Sequence, residues 1–429
     1  MVNLMSKPSW HEKISDSFEK LGKLLGFAPK KGHPIHIKVS TITDSGENEA
    51  SKMSSTRYAD CAWVLNYELK LKNNRLAFLE FKKFFVAFEF ESAGINPSNI
   101  IKYRYSDIAF QPEYLAVIIK DRSQFLYKEI LKDFASKLSM NIILIDDAKN
   151  IQDALFRFLL EFLFRIQFDY FLSLDFLERI SKVKVDQLRD YKDNIVLIMQ
   201  LGELKRDDLK YLRRVLLYAF RDLGKIPVIV SLAKEDLEKI MSSSDGINKV
   251  RELTIKCTDV LIISDMGKKI LELPTNGTIK LKDIIKEFVE KCLCENRGLI
   301  ITGGYGFTDP YYCDILSRIS IKVEGITKCD KNVTMEFEHL KISFRGYNEL
   351  KDIKQNKNLE IWGKWKINNK EELPAVIFRK ISKDTDQNAG WILIFTTDCS
   401  PYWGDPNILR SSDFTNLWKR IIQKIYEHL

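Results

Sequence analysis

Three acidic residues lie inside strongly apolar, β-forming sequence, where a carboxylate is costly unless it is paired, exposed or bound to a cation. Asp60 opens the apolar run of residues 58–65, and Glu89 and Glu91 close the run of residues 84–91. Carboxylate oxygens are the ligands that Mg²⁺ and related hard cations prefer. Acids held by two neighbouring strands therefore predict a divalent-metal site, and phosphodiester hydrolysis is a reaction that such a site supports.

The elements around these acids alternate between helix and strand. Apolar residues recur at helical spacing in residues 10–27, which predicts an amphipathic first helix that ends near Gly26. Residues 58–65 and 84–91 are predicted strands, and a helix is expected at 98–108. Such alternation indicates an α/β domain, which we expect to close near residue 148.

Two other interpretations of the acids stay open. Glu80-Phe81-Lys82 has a Glu-x-Lys form and lies closer to Asp60 than Glu89 does, so it is a second candidate for the acidic strand. The acids are also compatible with a structural role, in which strand-end carboxylates are solvated or paired with nearby lysines. His11, His33 and His36 could suggest a metal cluster, but Gly32-His33-Pro34 is more readily a turn before a strand.

The order helix, strand, Asp-strand, acid-strand, helix, strand over residues 10–148 resembles the PD-(D/E)xK nuclease superfamily. Asp60 matches the aspartate of that motif, and Val86-Ala87-Phe88-Glu89-Phe90-Glu91 resembles a branch whose second motif ends in Glu-x-Glu. Glu19 lies where many members carry an acid on the first helix. The resemblance implies a restriction-endonuclease-like fold in residues 1–148.

The same resemblance implies a catalytic site. Asp60, Glu89 and Glu91 would bind Mg²⁺ or Mn²⁺, and the substrate would be DNA. Glu91 stands where the superfamily usually has a lysine, so Lys102 on the following helix is the expected auxiliary cation. Arg104, in Arg104-Tyr105-Ser106-Asp107, would orient or bind the phosphate.

The second half of the chain contains three motifs in a fixed order: residues 258–267, 298–307 and 394–404. Together with the terminal helix they resemble a family of class I glutamine-amidotransferase-like domains over residues 193–429, which implies a flavodoxin-like, doubly wound sheet. A glutaminase needs a cysteine nucleophile on a tight turn, with a histidine to activate it. The corresponding turn here has glycine and tyrosine, so we expect no glutaminase activity.

The glycines of that turn suggest a different function. Gly303, Gly304 and Tyr305 could bind an anion through backbone N–H groups, although a tight turn that needs positive φ explains the glycines equally well. We predict that these three residues bind the substrate.

Composition sets the wider context. The chain has 429 residues and a formal net charge of +8, which permits a nucleic-acid partner without requiring one. Seven cysteines and no signal-peptide pattern favour a reduced, cytoplasmic protein. The Phe-rich helices of residues 151–181 carry regular charges, which excludes a membrane span. They belong to a predicted helical connector, residues 149–192, and we expect them to form a homodimer.

Three functions follow from these patterns. The first is a metal-dependent endonuclease fused to a degenerate amidotransferase-like domain that binds a ligand or a partner. The second is a scaffold or sensor without catalysis, in which both domains are binding modules. The third is an active amidohydrolase, which requires a histidine within hydrogen-bond reach of Cys313 or Cys399.

Overall fold

The computed structural model of the chain describes residues 9–39, 53–64, 85–91, 112–120, 141–203, 205–264, 266, 268–274, 279–291, 295–303, 323–329, 333–344, 348–353, 359–367, 371–381, 390–396 and 406–429. These residues form a mixed α/β protein, as the sequence predicted. The chain divides into two compact units. Unit 1 contains residues 1–166 and 179–192, and unit 2 contains residues 167–178 and 193–429. The predicted connector is thus shared between the two units.

Unit 1 is built on a five-stranded sheet with the order β1-β2-β3-β4-β5. The first three strands are antiparallel, and β3, β4 and β5 are parallel. Its strands are β1 (Ala28–Val39), β2 (Met53–Val64), β3 (Phe85–Glu91), β4 (Tyr114–Ile119) and β5 (Asn141–Ile145). Its helices are α1 (Trp10–Leu25), most of α2 (Ile151–Asp169) and the second part of α3 (Leu174–Asp186).

Helix α1 forms where the sequence predicted it, and local chemistry sets both ends. Ser9 and Glu12 make a reciprocal capping box, in which the Glu12 N–H donates to Ser9 Oγ and the Ser9 N–H donates to Glu12 Oε2. Gly26 ends the helix in the left-handed conformation, with φ of 94°. Ile14 and Phe18 on its apolar face are fully buried.

An aromatic core joins α1 and α2 to one face of the sheet. The Trp63 ring lies 4.8 Å from Phe88 and 5.3 Å from Phe158 between ring centroids, and its Nε1 donates to the Phe18 carbonyl at 2.9 Å. Gly22 on α1 allows this approach, because a Cβ there would lie 2.5 Å from Trp63 Nε1. The phenylalanines expected to form a dimer therefore include ones that pack inside unit 1, and the dimer stays a prediction.

Strand β2 differs from the expectation in one respect that matters for the site. Asp60 was expected near the start of a strand at residues 58–65, but the strand begins at Met53 and Asp60 lies in its second half. The expectation was wrong because residues 53–56, which include Ser54 and Ser55, pair with β1 in a register that runs to Met53↔Val39.

Unit 2 contains a nine-stranded sheet with the order β12-β11-β14-β15-β16-β9-β8-β6-β7. The strands from β16 to β7 are parallel to one another, and those from β12 to β16 are antiparallel. A separate two-stranded sheet pairs β10 (Val323–Cys329) with β13 (Asn348–Ile353). The nine strands are β6 (Ile195–Gly202), β7 (Ile226–Leu232), β8 (Val260–Ser264), β9 (Gly298–Thr302), β11 (Val333–Phe337), β12 (Leu340–Phe344), β14 (Glu360–Ile367), β15 (Glu371–Ile381) and β16 (Gly390–Phe395).

Helices connect and cover the parallel strands. They are α4 (Arg206–Asp222), α5 (Lys234–Ile240), α6 (Ser244–Lys256), α7 (Lys268–Leu271), α8 (Leu281–Lys291), α9 (Pro406–Leu409) and α10 (Ser412–His428). α4 packs against α10, where Phe220 meets Tyr426 edge to face, and α6 pairs with α8 through Arg251 and Glu287. No helix in the described part of the chain is long and apolar enough to cross a membrane.

Gln167 closes the β7 edge of this sheet. Its Nε2 donates to the Pro227 carbonyl at 2.8 Å, and its Oε1 accepts the Ile229 N–H at 2.7 Å, so the side-chain amide takes the place of another strand. Gln167 is fully buried. Sheet edges need such protection, since unpaired backbone groups invite aggregation.

The amide of Gln167 is therefore expected to stabilise unit 2. Gln167→Ala leaves two backbone groups without a partner and should lower the free energy of unfolding by about 1–3 kcal/mol. Urea unfolding, followed by hydrogen exchange at β7, measures the change. Gln423→Ala on the exposed face of α10 is the matched control and should change the midpoint little; equal losses in both variants contradict the assignment.

Candidate active site

The acids of β3 lie at the carboxyl end of a parallel strand. In the β3–β4 register, Glu89 is opposite Val117 and Glu91 is opposite Ile119. Residues two apart in a strand share one face, so Glu89 and Glu91 lie on the same side of the sheet. Glu89 is 1% exposed, whereas Glu91 is partly exposed. A carboxylate this deeply buried at a strand end marks a candidate functional group.

Asp60 reaches the same segment from β2. The β2–β3 ladder ends at the pair Cys61↔Phe88, and beyond it Asp60 Oδ2 accepts the backbone N–H of Phe90 at 2.8 Å. This bond places the Asp60 carboxylate beside the backbone that joins Glu89 to Glu91. The structure thus brings the predicted acids of two adjacent strands to one edge of the sheet.

His11 is a further member of the site. Its Nε2 lies 3.2 Å from Asp60 Oδ2, and its ring meets Phe90 edge-on at 5.9 Å between centroids. The side chain is 46% exposed, so the site opens to solvent beside α1. Sequence patterns had assigned His11 no such role, because its contact to Asp60 joins distant parts of the chain. The sequence offered one signal for this contact, which is that His11 lies in the first turn of α1.

The arrangement of the side chains around Asp60 decides whether they could hold a divalent cation. Among the described residues, no group of three or more His, Cys, Asp or Glu side chains is arranged to hold a metal ion. Asp60 Oδ2 is already engaged by the Phe90 N–H and by His11. Mg²⁺ is often held by one or two carboxylates, with water and substrate phosphate completing the shell. As described, the acids and His11 do not form such a site by themselves.

Two further side chains near the acids, Glu19 and Cys61, can ionise. The predicted first-helix acid, Glu19, pairs with Lys23 at 2.5 Å and with Lys31 at 3.7 Å. Burial, and next the Glu19 carboxylate, raise the pKa of the Cys61 thiol to about 12. Cys61 is therefore a protonated core residue at neutral pH.

Several predicted site residues lie outside the described parts of the chain. They are Glu80, Lys82, Lys102, Arg104, Gly304 and Tyr305. Glu80-Phe81-Lys82 stays open as the alternative to the Glu89–Glu91 motif. Gly303 follows β9 and is buried. Anion binding by Gly303 and its two neighbours stays a prediction.

The carboxyl ends of the parallel strands in unit 2 hold a buried polar network that the sequence did not suggest. Gln200 accepts a hydrogen bond from Ser231 Oγ at 2.7 Å and donates to Ser264 Oγ at 3.3 Å. All three side chains are at least 97% buried. The three side chains satisfy one another's hydrogen bonds beneath α4. They therefore stabilise the carboxyl edge of the parallel strands, which is where open α/β sheets commonly bind ligands.

Comparison with known proteins adds little. No family model matches the chain, and no curated protein matches it. One solved structure, described as a ThuA-like protein from Bacteroides uniformis ATCC 8492, is 11% identical, with a TM-score of 0.33. The match covers 53% of this chain and 89% of that one. A similarity this loose has no bearing on the fold or the function.

Proposed function

We propose that unit 1 is a metal-dependent nuclease that hydrolyses DNA phosphodiesters. The observation that carries the proposal is the hydrogen bond from the Phe90 N–H to Asp60 Oδ2, at 2.8 Å. It joins the Asp60 carboxylate to the strand end that presents Glu89 and Glu91. Acids from two strands meeting at the carboxyl edge of a sheet are suited to binding a cation and a phosphate.

Each residue has a defined part in this proposal. Glu89 and Glu91, with the second oxygen of Asp60, would hold Mg²⁺ or Mn²⁺ once the carboxylates are drawn together, because as described they form no metal-binding group. The bound cation would lower the pKa of a coordinated water and neutralise charge on the phosphate. His11 orients Asp60 through its 3.2 Å contact. Lys102 and Arg104 are the cations expected to contact the phosphate from the following segment.

The arrangement of unit 1 supports this interpretation. α1 precedes β1, the Asp-strand β2 and the acid-strand β3, and β4 follows in parallel with β3. This is the element order on which the resemblance to the PD-(D/E)xK superfamily rests, and it supports a restriction-endonuclease-like fold for unit 1.

For unit 2 we infer a flavodoxin-like domain that binds a ligand or a partner and has no glutaminase activity. Numbered in chain order, its parallel strands follow the order 2-1-3-4-5, from β7 through β6, β8 and β9 to β16. Right-handed crossovers then place helices on both faces, as in doubly wound sheets. At the end of β9, Thr302 and Gly303 are followed in the sequence by Gly304, Tyr305 and Gly306, with no cysteine among them.

A second candidate is a scaffold or sensor without catalysis. The observation in its favour is that Asp60 Oδ2 already serves Phe90 and His11. Unit 2 shows that such a bond can be purely structural, since Asp259 Oδ2 accepts the Leu197 N–H at 2.8 Å where β6 and β8 meet. In this function Asp60 would only fasten β2 to β3.

Incubation with Mn²⁺ and with plasmid or single-stranded DNA separates the two functions. The wild type should cut at least one of these substrates, and Asp60→Asn should lose about 10²-fold in rate, since it removes a metal-binding charge. Asparagine retains an acceptor for the Phe90 N–H, so the fold should persist, which circular dichroism checks. Equal cutting by both proteins, or none by the folded wild type, favours the scaffold.

A further inference from the structure

One face of α4 in unit 2 carries aromatic and arginine side chains in turn. Tyr211, Arg214 and Tyr218 follow one another at steps of three and four residues, so they share a face of the helix. All three are partly exposed. Side chains from neighbouring segments of unit 2 extend this face. The whole set, which we call the aromatic–cationic ridge, consists of Phe168, Tyr211, Arg214, Tyr218, Arg410 and Lys419.

The rings and the cations of the ridge contact one another. The Arg214 guanidinium lies 5.5 Å from the centroid of the Phe168 ring, and that ring meets Tyr218 edge to face at 5.2 Å between centroids. On α10, Lys419 Nζ lies 5.6 Å from the centroid of the Tyr218 ring. Cations and aromatic rings are therefore interleaved along the ridge, and this combination is typical of surfaces that bind single-stranded nucleic acid.

Two arginines of the ridge carry charge that no acid balances. Within the described part of the chain, neither Arg214 nor Arg410 forms an ion pair. Arg410 is exposed, and its Nη2 donates to the Tyr211 hydroxyl at 2.8 Å. Lys419, by contrast, lies 2.7 Å from Asp222 Oδ2. The two guanidinium groups are thus available to an anion, and their planar donor geometry suits phosphate oxygens.

We propose that the aromatic–cationic ridge binds single-stranded DNA, with bases stacked on its rings and phosphates in contact with Arg214 and Arg410. Exposed aromatic rings hold unpaired bases of any sequence, whereas the bases of a duplex are already stacked on each other. From Tyr211 to Tyr218 the helix rises by about 10 Å, and successive nucleotides of a stacked strand rise by about 3.4 Å, so the ridge spans about three nucleotides. The inference gives unit 2 a partner, and only the choice of DNA over RNA rests on the proposed function of unit 1.

The charges of the ridge are tested by DNA binding to the full chain in EDTA. Binding of a labelled single-stranded oligonucleotide is followed by fluorescence anisotropy at several salt concentrations. The double variant Arg214→Gln, Arg410→Gln should bind about 10-fold to 100-fold more weakly and lower the slope of log K against log salt by about 1.4, because two phosphate contacts are lost. Arg410→Gln alone should lower the slope by about 0.7. Circular dichroism checks the fold of each variant.

Stacking is tested separately at Tyr218. Tyr218→Leu keeps an apolar side chain but has no aromatic ring, so it should weaken binding about 5-fold to 100-fold and leave the salt slope unchanged. Tyr218→Phe retains the ring and should bind as the wild type does.

The double variant Lys256→Gln, Lys291→Gln is the matched control, since it removes two positive charges from exposed positions on α6 and α8. It should bind DNA with the affinity and the salt slope of the wild type. An equal loss in this control, or an unchanged slope in the arginine double variant, overturns the proposal.

Three further outcomes overturn it: no binding by the folded wild type, or displacement of the probe by duplex DNA or by RNA of the same sequence at a lower concentration than by unlabelled single-stranded DNA. The nuclease function is tested independently, because EDTA prevents metal-dependent cleavage. A wild type that binds DNA through the ridge but cuts nothing with Mn²⁺ removes the nuclease function and leaves the ridge as a binding surface.

Discussion

Glutamine in place of Glu89 should slow Mn²⁺-dependent DNA cleavage by about 10²–10³-fold. Glu89 is 1% exposed at the carboxyl end of β3, beside the residue that Asp60 binds. Glutamine preserves the volume of the side chain and one carbonyl oxygen, but it carries no charge to hold a cation. The loss should therefore appear in the rate at saturating DNA, with less effect on DNA binding measured in EDTA.

Glu161→Gln provides the control for this substitution. Glu161 lies on α2 in the same unit, and its carboxylate is 3.9 Å from Arg165 in a partly exposed pair. Such pairs contribute about 0–1 kcal/mol, so this variant should cut at the wild-type rate. Cleavage by Glu89→Gln within a factor of about three of wild type would leave Glu89 without a catalytic role.

Alanine in place of Trp63 is expected to have the largest effect on stability. The Trp63 side chain is fully buried, lies within ring-contact distance of Phe88 and Phe158, and donates to the Phe18 carbonyl. Truncating a buried aromatic residue of this size costs about 3–5 kcal/mol. Because Trp63 joins α1, β2 and α2, the loss should unfold unit 1 as a whole.

Hydrogen exchange resolved by peptide measures this effect unit by unit. In Trp63→Ala, protection should fall together in α1, β2 and β3, while the strands β6 to β9 of unit 2 retain theirs. Trp63→Phe separates packing from hydrogen bonding, since it keeps an aromatic ring and loses only the bond to Phe18. It should cost less than Trp63→Ala. A local loss confined to β2 in Trp63→Ala contradicts the role of Trp63 as the centre of this core.

The parts of the fold that local sequence determines were predictable. The capping residues and apolar spacing of α1 mark both of its ends, and the near-continuous apolar runs of β6 and β8 are typical of buried parallel strands. The acids of β3 were also found, because charge within an apolar strand is unusual in itself.

The contacts that assemble the site depend on pairing between distant segments. Asp60 was placed at the start of its strand, since no local signal shows that residues 53–56 pair with β1. His11 joins Asp60 through the packing of α1. Gln167 was assigned to a connector, although its amide belongs to the sheet edge of unit 2. Single-sequence periodicity carries no information on such partners.

Titration calorimetry with Mn²⁺ tests the central claim most directly. The wild-type protein should bind Mn²⁺ at one class of site, and the double variant Asp60→Asn, Glu89→Gln should lose that binding while its circular dichroism spectrum stays unchanged. Binding of Mn²⁺ that is unaltered in the double variant, or no binding by the folded wild type, contradicts a metal site formed by Asp60, Glu89 and Glu91.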